Sequence, residues 1–494
     1  MNKKTGIWLV VILMATGMFA QQKKDSTAYK KKVLESVEVD FLMSYYKQDG
    51  NHASVTGGIG TEELKDITPT IVVQIPLNAD DVLTVDFGIS AYTSASSSNL
   101  DPFDATGASG GGGEYEDRSV RRDDDDEDYG AIGPAQGSPW IESSGASLKD
   151  TWIGATIKYS HASDDRNTVW GVNTSVSTEY DYFSVGFGAN ISKLFNEKNT
   201  EIGVSAQAFI DEWRPRYPTE LDSYLEAGSS LNNGFFANQD ILDQQGNIID
   251  KNAPDAWAPF KPELLTRTDR NTYSLSFTFS QILSKNAQIS FFADVVQQKG
   301  WLANPMQRVY FADRDNFYLG NAASIPNYTS PTNTDVFHLA DDIERLPESR
   351  LKIPVGARFN YYLNENFTLR TYYRYYQDDW GLKGHTAEIE LPIKLALGKF
   401  TLYPNYRYYQ QNAADYFAPY EAHLSTSQYY TSDYDLSAFS SHQYGLGFKY
   451  TDIFGKLKIA GFGMKSLDIR YSNYNRSDGL KAGIASFGIK FVMD

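Results

Sequence analysis

Apolar and polar side chains alternate along segments of about ten residues that recur through most of the chain. The pattern is clearest in 83–90 and 273–280, where every second side chain is aromatic or aliphatic. A period of two is that of a β-strand with one apolar and one polar face. Sixteen such segments can be counted: 36–47, 67–77, 81–92, 148–160, 167–179, 181–194, 201–213, 271–282, 286–298, 350–363, 366–378, 384–396, 399–410, 441–451, 455–472 and 480–493. The alternation slips near 461–464, which predicts a β-bulge in the fifteenth segment.

The connections between these segments sort by length. Seven are tight and rich in Asn, Asp, Gly and Ser, as short hairpins require. The long ones lie near 93–147, 214–270, 299–349 and 411–440. Short and long connections alternate, so they fall at opposite ends of an up-and-down sheet. Bacterial outer-membrane barrels have this asymmetry, and closure satisfies every backbone group in lipid. We therefore predict an all-β, transmembrane, antiparallel up-and-down β-barrel of about 16 strands, with short periplasmic turns and long extracellular loops. The alternative is a soluble all-β repeat.

Composition excludes several classes of protein. The 494 residues include no cysteine, so disulfide scaffolds, thiolate metal sites and cysteine nucleophiles are ruled out. The net charge of −17 argues against a nucleic-acid partner, which requires a basic face. Aromatic residues make up 14% of the chain, as expected where aromatic girdles meet outer-membrane lipid. No window holds the 18 apolar residues of a transmembrane helix.

The N-terminus predicts export. Lys3 and Lys4 precede an apolar run over 6–15, which is the pattern of a secretory signal peptide. We assign 1–20 to the signal peptide, 21–35 to a short periplasmic segment, and 36–494 to a single barrel. The predicted location is the outer membrane of a Gram-negative bacterium. The alternative for the apolar run is a membrane anchor, for which it is short.

Several strands place charged side chains on the face opposite the apolar one. The predicted lumen-wall residues are Asp40, Asp86, Arg358, Arg370, Arg374, Glu388, Glu390, Lys394 and Arg407, with Glu38 and Lys352 on the same face. Neighbouring strands bring arginine and glutamate within reach of one another. Such a wall either selects permeating ions or holds a ligand, or its charges simply pair and hydrate a polar interior.

The long loops differ in character. The 93–147 loop carries twelve acidic side chains against three arginines. It offers a possible Ca²⁺ site of low specificity, because Tyr129 stands where the helical calcium loop requires glycine. The alternative is a solvated acidic loop. The candidate ligands are Asp123, Asp124, Asp125, Asp126, Glu127 and Asp128.

The loops near 214–270 and 299–349 are rich in aromatic residues and proline. Their members include Trp213, Pro215, Tyr217, Trp257, Phe260, Pro262, Trp301, Pro305, Tyr310, Phe311, Tyr318 and Tyr328. Such loops are expected to fold over or into the barrel mouth, either lining a binding surface or packing on one another as a cap. The six histidines show no metal spacing and no catalytic motif has its required context, so we expect no enzyme and no cofactor.

The stretch 372–381 (YYRYYQDDWG), followed by His385 and Thr386, resembles the signature of domain of unknown function 3570, an outer-membrane family of Gram-negative bacteria. The resemblance implies an exported β-barrel without an assigned reaction. Members of that family tend to be encoded near a periplasmic thioredoxin-like protein, a small lipoprotein and a flavin transferase. The resemblance therefore also implies a link to a redox-linked envelope system, and a periplasmic or lipoprotein partner.

Within this signature, Asp378, Asp379, Trp380 and Gly381 are predicted to form a tight outer turn. We expect Trp380 to lie at the membrane interface, and Asp378 to pair with Arg374 or Arg407. The structural alternative is a well-made hairpin of the barrel wall without a role in transport.

The sequence thus predicts an outer-membrane channel or transporter for a small solute, with a lumen narrowed by charged wall residues and long loops. The alternative is a non-transporting barrel subunit or anchor of an envelope complex, with the aromatic loops as its docking surface.

Overall fold

The computed structural model describes residues 32–94, 150–179, 181–261, 264–329, 336–452, 457–459 and 462–493. Sixteen long antiparallel strands, β1 to β16, dominate it. Their bounds are Val37–Asp49, Leu64–Pro76, Asp81–Ser94, Asp150–Ala162, Thr168–Thr178, Tyr182–Phe195, Thr200–Trp213, Thr268–Ser284, Ala287–Gly300, Val355–Tyr362, Thr368–Gln377, Lys383–Glu390, Phe400–Gln411, Phe439–Thr451, Phe462–Arg476 and Lys481–Met493. These strands confirm the sixteen predicted segments.

Consecutive strands pair with each other around the whole ring. The ring closes because β1 pairs with β16, from Val37 opposite Met493 to Asp49 opposite Lys481. The short segments Ser349–Lys352 and Ile393–Leu395 extend the pairing of β10 and β12. Closure leaves no unpaired strand edge, which is the condition for a sheet to exist in lipid.

The bulge predicted in the fifteenth segment is present. The register of β15 against β16 shifts between Met464 and Ser466, so Lys465 is the extra residue. Before β15, Lys458–Ile459 folds back on Phe462 and Gly463 as a separate small hairpin. The strand therefore begins later than the predicted residue 455.

The outer face of the barrel is apolar and exposed. Phe187 is 57% exposed, and similar exposure holds for aliphatic and aromatic side chains on most strands. A soluble protein buries such residues, whereas a membrane barrel presents them to lipid tails. This surface and the complete strand pairing make the chain a transmembrane barrel. No helix in the described ranges is long and apolar enough to cross a membrane.

The buried core lies in the loops at one end, which we call the loop end. With the exception of Tyr376, the largest fully buried side chains belong to connections that follow odd-numbered strands: Trp257, Arg308, Tyr310, Tyr430, Phe236, Phe311, Phe337, Leu221, Ile241, Leu339 and Ile343. The helix α1, Thr219–Glu226, lies in the loop after β7. The opposite end, the turn end, carries tight connections such as 196–199 and 285–286.

Candidate functional site

The described residues of four loops at the loop end, 50–63, 214–267, 301–348 and 412–438, pack into one folded unit, which we call the cap. Short strands join its members, since Ile241–Leu242 pairs with Tyr318–Gly320, and that strand pairs with Val336–His338. One apolar cluster of the cap combines residues of the 214–267 and 301–348 loops: Leu231, Phe236, Ile241, Trp257, Phe317, Phe337 and Leu339. The aromatic loops thus pack on one another, which is the cap alternative of the sequence prediction.

The cap crosses the barrel mouth. The loop after β1 and the loop after β9 leave the ring eight strands apart, yet the Arg308 guanidinium donates to the carbonyl of Val55 at 2.9 Å. Arg308 also donates to both carboxylate oxygens of Glu220 in α1, at 2.7 and 3.0 Å. Both charged side chains are buried, with 0% and 2% exposure. Three loops from opposite sides of the ring therefore converge on one guanidinium group.

A buried histidine organises the aromatic part of the cap. The His338 ring stacks on Tyr310 and Tyr318, with centroids 4.3 and 4.7 Å apart, and its Nδ1 lies 2.6 Å from the hydroxyl of Tyr420. Burial lowers the pKa of His338 to about 3. The imidazole is therefore neutral at physiological pH and serves as a packed ring rather than a proton acceptor.

Buried carboxylates lie beside this aromatic region. Asp342 is held by the Arg345 guanidinium at 2.8 and 2.9 Å and by the Tyr430 hydroxyl at 2.6 Å. Glu344 accepts from the backbone amide of Asn304, and burial raises the pKa of its carboxyl to about 7. Asp342 is thus paired with a cation, whereas burial makes the Glu344 carboxyl harder to ionise than an exposed glutamate.

The inner wall below the cap carries a contact that reaches across strands. The Glu390 carboxylate on β12 forms an ion pair with the Arg370 guanidinium of the adjacent β11, with an N···O distance of 2.8 Å. It also forms an ion pair with the Arg470 guanidinium of β15 at 3.2 Å, although β13 and β14 lie between the two strands. Arg470 reaches Glu390 by lying over the Tyr403 ring at 4.6 Å, and a Cβ on Gly447 would be 3.1 Å from its Cγ. Glycine at 447 leaves the space that this crossing requires.

The family model described as "Protein of unknown function (DUF3570)" matches residues 9–482, which is most of the chain. The chain belongs to DUF3570. No curated protein matches the sequence of this DUF3570 member.

Solved structures similar to this DUF3570 member are outer-membrane proteins. A bacterial polysaccharide outer membrane secretin has 7% identity and a TM-score of 0.41, over 93% of this chain and 99% of that one. A Pseudomonas aeruginosa FadL homologue has 9% identity and a TM-score of 0.37, over 93% and 91%. Pseudomonas aeruginosa OccK1 (OpdK) has 8% identity and a TM-score of 0.35, over 92% and 98%. Likeness at this level carries no information about function.

The DUF3570 signature forms a turn that is buried. Asp378 binds the Arg350 guanidinium at 2.6 and 2.9 Å, a partner that the sequence analysis did not predict. Trp380 is 3% exposed, lies under the Arg350 guanidinium at 4.2 Å, and donates its indole N–H to the carbonyl of Ser349. The predicted position of Trp380 at the membrane interface is therefore wrong.

The physical reason is that the cap covers this turn. Gly381, at φ +82°, lies against the Asp415 carboxylate, where a Cβ would be 2.3 Å from Oδ1. The Asp415 amide donates to the carbonyl of Trp380 at 2.9 Å. Asp379 accepts from the Leu351 amide at 2.9 Å. The signature thus joins β10, β11 and β12 to the 412–438 loop.

The other predicted wall residues are spread over several strands of the barrel. Asp40 pairs with Lys490 at 3.1 Å near the turn end, where Lys490 also binds Glu38 at 3.1 Å. Lys394 lies opposite Thr401, and Asp86 lies opposite Val72 and Thr156. Lys352 is buried opposite Asp378 at the loop end. The remaining wall residues take up register positions on β10 to β13: Arg374 opposite Gly356 and Thr386, and Arg358, Glu388 and Arg407 in one row with Tyr372.

Some predictions fall outside the described residues. These are the signal peptide over 1–20, part of the 21–35 segment, and the acidic ligands Asp123, Asp124, Asp125, Asp126, Glu127 and Asp128. Within the part of the chain that the structure describes, no group of three or more histidine or acidic side chains is arranged to hold a metal ion.

Sequence reasoning missed two kinds of residue. Arg470 could have been found from the alternation, because it lies two residues after Asp468 on β15 and therefore on the same face of that strand. Applying the pattern used for β10 to β13 to β15 as well identifies it. No sequence pattern identifies Arg308 and Glu220, because they lie in aperiodic loops 88 residues apart.

Proposed function

We propose that this chain is an outer-membrane channel or transporter for a small solute, with a mouth closed by the cap and a lumen narrowed by charged wall residues. Support comes from a closed ring with an apolar exterior, which fits lipid, and a polar inner wall, which fits an aqueous path. The signal-peptide pattern adds support for export, and the long loops then face outward.

The observation that carries the proposal is the contact of Arg308 with Val55 and Glu220 across the mouth. Loops that meet in this way control entry from the loop end. A barrel that only anchors a complex has no physical requirement for such closure. The proposed anchor would instead need exposed aromatic side chains, but Trp257, Tyr310 and Phe311 are each 1% exposed. The periplasmic or lipoprotein partner implied by the family resemblance stays a prediction.

Replacing Arg370 and Arg374 with alanine is expected to shift ion selectivity toward cations, because the wall loses two positive charges and Glu390 keeps Arg470 but loses Arg370 as a partner. The measurement is the reversal potential of single channels in planar bilayers under a KCl gradient. The control variant K198N/K285A removes two positive charges from the tight turns, outside the lumen.

A shifted reversal potential in R370A/R374A, and not in the control, supports a conducting path along this wall. An unchanged reversal potential with reduced thermal stability would mean that the two arginines only brace the barrel. A trace without conductance under all conditions, including variants with a loosened cap, would contradict the channel itself.

A further inference from the structure

The inward arginines of β10 to β15 divide into paired and unpaired groups. Arg370 and Arg470 both bind Glu390, and Arg470 also binds Asp468 at 3.0 Å. Arg476 lies between Asp435 and Asp478 at the loop end. These guanidinium groups are neutralised by carboxylates and form part of the wall. Their positive charge is therefore not available to a solute.

Arg358 and Arg407 differ, since neither has a carboxylate partner among the residues described. They occupy one level of the wall, because the register runs from Arg358 to Tyr372, then to Glu388, then to Arg407. Three strand spacings separate the two arginines, about 14 Å along the wall at 4.7–4.9 Å per strand. Two long side chains at that separation can both reach one small ligand between them.

Arg358 rests on an aromatic platform formed by Phe292 and Tyr372. The two rings are stacked at 5.6 Å with an interplanar angle of 9°, and the guanidinium carbon lies 5.5 Å from each ring centroid. Gly356 makes room for the platform, because a Cβ there would be 2.3 Å from Cζ of Phe292. Cation–π contact orients Arg358 while leaving its N–H donors free for an anion.

We propose that Arg358 and Arg407 bind the carboxylate group of a small, singly charged organic anion, with its flat or apolar part against the Phe292–Tyr372 platform. Two guanidinium groups give charge-assisted, bidentate hydrogen bonds to an oxyanion. Glu388 lies between them, so the row has a net charge of +1 and disfavours a second negative group on the ligand. This site deepens the proposed function and rests on it, because a solute must enter the barrel to reach the row.

The test is equilibrium dialysis of radiolabelled benzoate against the full-length chain folded in detergent, with labelled inorganic phosphate in parallel. Loss of one charge-assisted pair is expected to weaken benzoate binding about tenfold or more in R358Q and in R407Q. R358K keeps the charge but loses the bidentate geometry, so its affinity should be intermediate. The matched control is K158Q, which removes a cation from β4, and it should bind benzoate as the wild type does.

Each outcome is decisive for the assignment. Benzoate binding that is unchanged in R358Q and R407Q, a preference for phosphate over benzoate, or an equal loss in K158Q would overturn the site. Dialysis reports binding without conduction, so a chain that binds benzoate but never conducts keeps the site and rejects the channel. A conducting chain that binds no benzoate keeps the channel and rejects the site. Heat-dependent migration in gels verifies that each variant is a folded barrel.

Discussion

Replacing Arg308 with methionine is expected to loosen the cap while leaving the barrel intact. The substitution removes both bonds to Glu220 and the bond to Val55, and it leaves a buried carboxylate without its cation. Breaking a buried pair in this way costs about 3–5 kcal/mol. The measurements are proteolysis of the 301–348 loop in liposomes and channel open probability, and both should rise.

The double variant E220L/R308M provides the control. Replacing both members of a buried ion pair with apolar residues is often neutral or stabilising, so protease resistance should return toward that of the wild type. Strand content should be equal in all variants, because the pair lies outside the barrel sheet. Unchanged resistance and unchanged open probability in R308M would show that this contact does not hold the cap closed.

The stability of the cap is expected to depend on pH through the buried carboxyl of Glu344. Burial raises the pKa of its carboxyl from 4.5 to about 7, although Arg270 and Arg350 oppose that shift. Asp433 shifts in the same direction, through burial and the charges of Asp435 and Glu344. Both groups favour the protonated form in the folded cap.

The direction of this pKa shift fixes whether the cap becomes more or less stable as the pH rises. A carboxyl whose pKa is raised in the folded state stabilises that state by its full amount at a pH below its ordinary pKa. This contribution is lost as the pH rises through the raised pKa. For Glu344 the loss runs from about pH 4.5 to about pH 7 and amounts to about 3 kcal/mol. Glu344 therefore makes the cap more resistant to protease at pH 5 than at pH 8, and Asp433 acts in the same direction. His338 opposes them, because burial lowers its pKa from 6.5 to about 3, so its contribution to stability is lost as the pH falls below about 6.5.

The variant E344Q tests the assignment. Glutamine keeps an acceptor for the Asn304 amide but carries no titratable proton. The protease resistance of the wild type relative to E344Q should be greater at pH 5 than at pH 8. An equally steep pH profile in E344Q would assign the dependence to other groups, with Asp433 as the next candidate.

The strands were predictable because their information is local. On β3 and β8 every second residue faces lipid, so a period of two in a few neighbouring residues defines both the strand and its faces. Tight turns such as 196–199 follow from their own residue types. The neighbouring positions of Arg370 and Glu390 also follow, since consecutive strands of an up-and-down barrel are adjacent.

Contacts beyond adjacent strands did not follow from the pattern. Arg470 reaches Glu390 across two intervening strands, and this requires the space above Gly447. The alternation predicts that Arg470 faces inward, but it does not predict which carboxylate Arg470 pairs with. Trp380 was misplaced for a related reason, because a tryptophan at a strand end has the same local sequence whether lipid or a folded loop covers it.

By itself, the sequence determined the closed barrel, its strand number and the end that carries the long loops. Each of these depends on neighbours in the chain or on consecutive strands. The tertiary structure alone decided that the loops form a cap across the mouth and that Arg308 holds three of them together. Arg308 contacts Glu220 and Val55, which lie 88 and 253 residues away along the chain. Such contacts form because buried charges require partners, and no periodic pattern records which partner folding brings near.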